Sequence, residues 1–324
     1  MTVGDGDPSG TAPKIRLPPS VLREYRRFSL YNSPYPAHDR GCAIDLYSAD
    51  AEGRSPVAGE IVETRTVRAP PQPYAADEEF LVVVDVDVDR TGLRVDARTG
   101  EGLVARILHV RPRVTPGDVV DVGDPLGRLI RSGFFAPWVG NHVHLGFRRA
   151  DQNHLRADGS LPLGVAVEVE PVEWSGVGTV VEAGETYALL DAPAHPAPGE
   201  YFAGIGGTLG GDGTGGGTDA VLDGGFTHYA GGGLPGASVG RGRGGPESRS
   251  VDFLGHAVGE AAGRNVEWRD VDVLANGDRI TGLSLFSMLD PEFGAKLVCP
   301  DRAFGVGDRV RVSVRDSDDP IRLG

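Results

Sequence analysis

The chain has 324 residues, of which 40% are hydrophobic and 24% are charged, so two folded domains are expected and disorder along the whole length is excluded. Its 46 acidic residues outnumber its 32 basic ones and give a net charge of −14. This balance repels phosphate backbones and anionic lipid, which argues against nucleic acid and membranes as partners.

The first 29 residues are expected to form a flexible leader followed by a short helix. Residues 1–13 are rich in Gly, Pro, Asp and Thr, whereas the apolar residues of segment 19–29 suit one or two helical turns. This start lacks the basic and apolar regions of a secretory signal, and no stretch approaches the ~20 apolar residues of a membrane-spanning helix. The predicted location is therefore the cytoplasm, unless export is unconventional.

Residues 30–163 show the pattern of a mainly β domain. Short apolar stretches are broken by Gly, Pro and Asp, at 56–62, 80–88, 102–110, 119–130 and 142–148. Strands at this spacing predict an antiparallel sheet or sandwich.

Residues 164–324 are predicted to form a second mainly β domain. Strand-like runs occur near residues 165, 177 and 187 and again after residue 251, and a glycine-rich tract at 204–245 lies between them. We expect this tract to be a long loop, because so few side chains cannot build a packed core. The histidines of this half, His195, His228 and His256, stand singly and do not predict a site.

The strongest local signal for chemistry is the segment Asn-His-Val-His-Leu-Gly-Phe at 141–147. Residues two apart on a strand point to the same side, so His142 and His144 would lie about 7 Å apart on one face. This geometry suits two metal ligands, or one ligand beside one proton-transfer group.

Four further elements precede this pair in the same half. They are HDRGCAIDL at 38–46, SPVAGEIV at 55–62, ILHV at 107–110 and PGDVVDVGDPLG at 116–127. In this order, the five elements resemble those of the lysostaphin-like zinc endopeptidases, whose catalytic domain cuts peptide cross-links in bacterial cell walls.

The resemblance implies a function and a role for each matching residue. His38, Asp45 and His144 would bind one Zn²⁺ per chain, while His109 and His142 would handle protons during hydrolysis of an amide bond. The implied substrate is a peptide or a peptidoglycan-like chain.

The chemistry of such a set can be stated from its residue types. Three protein ligands leave a fourth tetrahedral position for water, and zinc lowers the pKa of that water to ~7. An imidazole that titrates near pH 6.5 can accept the water proton and return it to a leaving amine, while a second histidine can stabilise the developing oxyanion.

The spacing of the first two ligands departs from the family pattern. Asp45 follows His38 by seven residues rather than four, and an odd separation on a flat strand places side chains on opposite faces. We therefore expect His38 on a loop, or a bulge before Asp45. Asp39 and Cys42 are alternative ligands, although 43–46 has the pattern of a strand that enters the core.

The segment before the last histidine pair also departs from the family. Residues 133–140 are bulky and apolar where the family tends to have small and polar residues. We expect this segment to narrow or to cap the substrate groove.

Three other interpretations use the same pattern. A non-catalytic metal-binding or assembly module would keep the site without turnover, and a histidine phosphocarrier-like domain would use His109 and His142. Lipoyl and biotinyl carriers need a lysine, yet the chain has only Lys14 and Lys296. Cys42 and Cys299 are too far apart in sequence to indicate a disulfide framework or a paired-cysteine zinc motif.

The acidic, lysine-poor composition carries one more hypothesis, that the protein is halophilic. Asp-rich surfaces stay hydrated in a salt-rich cytoplasm, where salt also screens their mutual repulsion. This hypothesis predicts that the fold loses stability in dilute buffer.

Overall fold

A computed structural model describes residues 13–99, 102–156, 159–210, 217–236 and 248–323. The expected leader, up to residue 12, lies outside the described residues. The fold is mainly β, as the sequence predicts, and its few helices are single short turns. Within the described residues, no helix is both long and apolar enough to cross a bilayer.

The amino-terminal half contains thirteen strands and three short helices within the described ranges. They are β1 (Ile15–Leu17), α1 (Pro19–Leu22), β2 (Arg27–Ser29), α2 (Pro36–Asp39), β3 (Ala43–Tyr47), β4 (Glu52–Arg54), β5 (Gly59–Val67), β6 (Glu79–Val86), α3 (Val88–Thr91), β7 (Arg94–Val95), a 3₁₀ turn (Ala97–Thr99), β8 (Leu103–Leu108), β9 (Val110–Pro112), β10 (Val119–Val120), β11 (Pro125–Leu129), β12 (Val143–Arg149) and β13 (Leu163–Val165).

The carboxy-terminal half is built from strands alone where it is described. They are β14 (Val169–Val172), β15 (Val177–Ala183), β16 (Tyr187–Leu190), β17 (Phe202–Leu209), β18 (Thr218–Val221), β19 (Asp223–Phe226), β20 (Gly231–Gly233), β21 (Arg249–Phe253), β22 (His256–Ala262), β23 (Asn265–Trp268), β24 (Val271–Ala275), β25 (Asp278–Ile280), β26 (Gly282–Leu285), β27 (Ser287–Met288), β28 (Lys296–Val298) and β29 (Arg309–Asp316).

An antiparallel sheet in the order β2-β3-β12-β8-β6-β5-β10 organises the amino-terminal half. One face of this sheet carries Ile44, Val143, Leu145 and Ile107, which are fully buried in the main core of this half. Since side chains alternate along a strand, the residues between them project from the opposite face, and that face carries the site.

The expected helix in segment 19–29 is present as α1, but the last three residues of the segment form a strand. This strand, β2, pairs with β3. Val21, Leu22, Tyr25 and Phe28 are buried in the same core as the central sheet. Burial of these four side chains ties the segment to the fold.

The prediction of a loop over 204–245 is wrong for the described part of that tract. Most of β17 and all of β18, β19 and β20 lie there; residues 211–216 and 237–247 lie outside the described ranges. The glycines permit close contact with aromatic rings: a Cβ on Gly232 would lie 2.3 Å from Trp268, and one on Gly233 would lie 2.2 Å from Tyr31. Large side chains from other segments therefore supply the core that the tract lacks.

The two halves share a strand pairing. Strand β27 pairs with β2 through Arg27↔Met288 and Phe28↔Ser287, and it also pairs with β17. The carboxy-terminal half thus hydrogen-bonds to β2. Strand β2 lies beside β3, and β3 carries Asp45.

Candidate metal centre

Asp45 and His144 face each other across two strands. They are direct partners in the β3–β12 pairing, and His144 is in turn the partner of Leu108 on β8. Directly opposed residues project to the same face of a sheet, so the carboxylate and the imidazole meet on the face away from the main core. Strand register alone fixes this part of the site.

His38 reaches the same point from α2. This helical turn begins with Pro36, which suits the first helical position because its missing N–H would be unpaired there. The chain then turns through Gly41 at φ +56° before β3 begins. The separation of seven residues is therefore spanned by a helical turn and Gly41, where a loop or a bulge was expected.

The three side chains form a cluster that could hold a metal ion. His144 Nδ1 lies 3.0 Å from Asp45 Oδ1, His38 Nε2 lies 3.4 Å from the same oxygen, and the two nitrogens lie 3.2 Å apart. Tetrahedral zinc with bonds of ~2.0–2.1 Å places neighbouring ligand atoms about 3.3 Å apart. The donor set and its spacing therefore fit a tetrahedral ion such as zinc.

The outer nitrogens of two histidines are already in use. His38 Nδ1 lies 2.8 Å from the Leu30 carbonyl and His142 Nδ1 lies 2.9 Å from the Gly140 carbonyl. A carbonyl oxygen only accepts, so both Nδ1 atoms carry the proton in the neutral rings. Their Nε2 atoms then turn lone pairs toward Asp45 Oδ1, an arrangement that a cation between them would stabilise.

The pKa values of the three cluster residues depend on burial and on the charged groups packed around them. Burial alone would raise the pKa of Asp45, but the adjacent His142 and His38 hold it well below its usual range. Burial would lower the pKa of His38, but Asp45 and the Leu30 carbonyl raise it overall. For His144, burial prevails over the attraction of Asp45 and lowers the pKa to about 4.

His109 lies beside the cluster and is held by a carboxylate that sequence reasoning missed. Its Nδ1 lies 2.9 Å from Glu79 Oε2, and its backbone N–H donates to Glu79 Oε1 at 3.0 Å. Ser132 Oγ also donates to Glu79. Glu79 opens an apolar strand next to the exposed Glu78, so the sequence carried no signal to separate the two.

Burial and hydrogen bonds determine the protonation of the dyad formed by His109 and Glu79. It lowers the pKa of His109, and the Glu79 carboxylate offsets only part of that effect. Burial would raise the pKa of Glu79, but hydrogen bonds from His109 and Ser132 lower it overall. The dyad is therefore a neutral imidazole on an ionised carboxylate at neutral pH.

His142 lies between the cluster and the apolar segment. Its Nε2 is 3.3 Å from Asp45 Oδ1, and its ring centroid is 5.2 Å from that of His109. It is not part of the group whose ligand atoms all lie within 4.8 Å of one another. Cys42 and the exposed Asp39 also lie outside that group, so Asp45 is the carboxylate of the cluster.

The bulky segment 133–140 packs directly on the proton-transfer candidates. The Phe135 ring centroid lies 4.3 Å from that of His142 and 4.6 Å from that of His109. Phe134, Phe135 and Val139 line a cavity of about 290 Å³ that also contains the metal cluster. The segment therefore forms one wall of the cavity.

The carboxy-terminal half supports the cluster indirectly through a buried carboxylate, which sequence reasoning also missed. Asp223 on β19 is fully buried and accepts hydrogen bonds from Ser29 Oγ and from the Leu30 N–H at 2.6 Å. The carbonyl of the same Leu30 binds His38 Nδ1. Asp223 thus fixes the backbone that orients a candidate ligand. Burial raises the pKa of Asp223 to about 7.

The remaining histidines of the carboxy-terminal half stay apart from the cluster. His195 binds the Met288 carbonyl, His228 is buried against Trp138 and Tyr229, and His256 lies near Asp316 at the surface. None belongs to a group of potential ligands within the described residues.

Comparison with known proteins gives matches for both halves of the chain. Residues 16–165 match the N-terminal domain of the family described as Domain of unknown function (DUF8155), and residues 170–315 match its C-terminal domain. Both halves match one family. No curated protein matches the chain.

Among solved structures, the chain is similar to the antimicrobial peptidase lysostaphin from Staphylococcus simulans. Identity is 12%, and the alignment covers 94% of this chain and 100% of that chain with a TM-score of 0.23. A TM-score at this level carries no argument about fold or function.

Proposed function

We propose that the chain is a zinc-dependent hydrolase that acts on amide bonds. The observation that supports this most is the convergence of His38, Asp45 and His144 at zinc-ligand spacing inside a cavity. Two further histidines line the same cavity. In this proposal, His38, Asp45 and His144 hold one zinc ion, which would supply Lewis-acid activation of a water molecule.

His109 is proposed as the group that moves the proton. Its Nδ1 is engaged by Glu79, so proton exchange falls to Nε2, as in histidines that a carboxylate orients. A neutral imidazole with a lowered pKa can accept the proton of the attacking water and pass it to the leaving amine. Glu79 would stabilise the imidazolium that forms in between.

His142 is proposed to act on the oxyanion. Because its Nδ1 donates to the Gly140 carbonyl, it can donate toward substrate only from a protonated Nε2. Its ring is held between Phe135 and Asp45, with Nδ1 on the Gly140 carbonyl. This fixed geometry suits stabilisation of a charge that develops only during the reaction.

The test is metal analysis of the full chain together with hydrolysis of a peptide panel. Wild type is expected to bind about one zinc per chain and to cleave peptides, whereas His144→Ala should lose both properties. His109→Ala should keep the metal and lose about 10²-fold or more in rate. His256→Ala, a histidine-to-alanine change far from the cluster, is the matched control.

The alternatives give different results. Stoichiometric zinc without turnover on any peptide would support a metal-binding or assembly module. Absence of zinc from wild type, or zinc retained in His144→Ala, would contradict the proposed function. Transfer of phosphate to a histidine from phosphoenolpyruvate and its relay proteins would support the phosphocarrier interpretation.

A further inference from the structure

Arg106 is a buried cation in the wall of the same cavity. The residue is 7% exposed, and Nε donates to the His154 carbonyl at 2.6 Å. None of the ion pairs among the described residues includes it, and the charge that acts on it is the like charge of Arg148. Burial lowers its pKa to about 10, so it stays protonated at neutral pH. Buried cations are normally paired, which leaves this one available for an anionic ligand.

The sheet places Arg106 close to the metal cluster. Leu108 is the direct partner of His144, and Arg106 lies two residues earlier on the same strand and therefore on the same face. Such diagonal neighbours are about 7–8 Å apart. One extended residue spans at most ~3.6 Å, so a ligand that touches both points is one or two residues long.

The charge of the cavity is opposite to that of the protein. The chain carries a net charge of −14, yet the cavity is lined by Arg68 and Arg106, and its one acidic group is Asp45. That carboxylate is surrounded by histidines. With a divalent cation on the cluster, the cavity would attract anions more strongly still.

Apolar side chains line the same cavity as the two charged points. Leu81 and Leu108 lie on neighbouring strands as direct partners, and Tyr35 and Phe134 pack edge to face at 5.6 Å on the same cavity. Burial of an apolar substrate side chain against this wall would be favourable. The cavity thus combines an anion point with an apolar wall.

We propose that the substrate is a peptide whose free carboxy-terminal carboxylate binds Arg106 and whose last side chain is apolar. This inference rests on the proposed function and narrows it to removal of a terminal residue. Water adds its oxygen to the carbonyl of the last peptide bond, and the C–N bond breaks. The water protons pass to the new amine and to solvent, so the products are a shortened peptide and a free amino acid.

Binding tests the carboxylate point without activity. Metal-free full-length protein is titrated calorimetrically with N-acetyl-leucine and with N-acetyl-leucinamide, in both the L and D forms. Wild type should bind the carboxylate of one form at least 10-fold more tightly than the amide. Removal of metal ensures that the preference does not come from the carboxylate binding zinc.

Arg106→Gln should bring the ratio of the affinities for the acid and the amide close to one, and Arg106→Lys should keep part of the preference for the acid. Arg65→Gln, which removes an exposed arginine outside the cavity lining, is the matched control and should change the ratio less than 3-fold. Equal binding of acid and amide by wild type, which requires no variant, would overturn the inference. So would an unchanged ratio in folded Arg106→Gln.

Hydrolysis separates this inference from the proposed function. Zinc-loaded wild type is compared on acetyl-Ala-Leu with a free or an amidated carboxyl end, and the free form should be cleaved at least 10-fold faster. Equal cleavage of both would leave the hydrolase intact and remove the role of Arg106. A carboxylate preference in binding with no cleavage would keep the anion point and contradict the hydrolase.

Discussion

At the scale of single residues, Glu79 is the side chain on which the orientation of His109 depends. Both carboxylate oxygens bind His109, one through the ring and one through the backbone N–H. A glutamine can keep only one of these acceptors. The charge of Glu79 also stabilises the imidazolium form of His109, so its removal should lower the pKa of His109 further.

Glu79→Gln is therefore expected to reduce the rate about 10²-fold and to move the acid limb of the rate profile to lower pH, with zinc content unchanged. The measurement is kcat/KM between pH 5 and 9 with metal analysis. Glu78→Gln, at the exposed neighbour that pairs with Arg111, is the control. An unshifted acid limb would show that Glu79 does not act through His109.

His228 offers a residue-scale test of pH dependence. Burial against Trp138 and Tyr229 lowers its pKa to about 3. The unfolded chain takes up a proton below about pH 6.5 and the folded chain does not, so stability is lost as pH falls from 6.5 toward 3. At pH 5 this loss is about 2 kcal/mol.

His228→Phe should remove this contribution. The expected result is a smaller drop in the free energy of unfolding between pH 7.5 and pH 5 than in wild type, measured by urea denaturation at both values. His256→Phe, at the half-buried surface position, should keep the wild-type drop. Parallel behaviour of wild type and His228→Phe would contradict the assignment.

At the scale of elements, the glycine strands show which part of the fold the sequence predicted and which part it did not. Strands such as β6 and β12 have side-chain patterns of their own and were predicted. Strand β20 is Gly-Gly-Gly, and its core consists of Tyr31 and Trp268 from distant segments. Local composition cannot report a partner that is far away in sequence.

Gly233→Ala tests this packing. The added Cβ would meet the Tyr31 ring at 2.2–2.5 Å, and overpacking of this kind costs about 1–3 kcal/mol. Gly231→Ala on the same strand is the control, since its Cβ would lie 3.2 Å from the nearest atom. Thermal unfolding should separate the two variants, and equal melting temperatures would mean that Tyr31 moves freely.

The candidate site follows the same logic at the element scale. His142 and His144 stand on or beside one strand, so the sequence could place them on one face, and the resemblance to the lysostaphin-like family added Asp45, His38 and His109. Glu79 and Asp223 act only through contacts across the fold. No spacing rule connects either carboxylate to the histidine that it positions.

At the scale of the whole molecule, Asp223 joins the two halves at the candidate centre. Through Leu30 it fixes the carbonyl that orients His38. Asp223→Ala removes both of its acceptor oxygens and is expected to weaken zinc binding about 10–100-fold, as loss of outer contacts to metal ligands does. Asp223→Asn, which keeps one oxygen, should lose less.

Zinc affinity is measured by chelator competition at a temperature where the metal-free variants are fully folded by circular dichroism. Asp219→Ala, at an exposed aspartate on β18, is the control. A variant that keeps wild-type zinc affinity while its metal-free form melts earlier would limit Asp223 to a structural role.

The pairing of β27 with β2 makes the amino-terminal half dependent on the carboxy-terminal half of the same chain. A chimaera that joined this half to an unrelated carboxy-terminal segment would keep all three candidate ligands. It would lose the strand that pairs with β2 and the carboxylate that binds Leu30. Exchange of halves between proteins would thus preserve the three candidate ligands but remove the strand pairing and the hydrogen bond that hold them in place. This favours inheritance of the two halves as a unit.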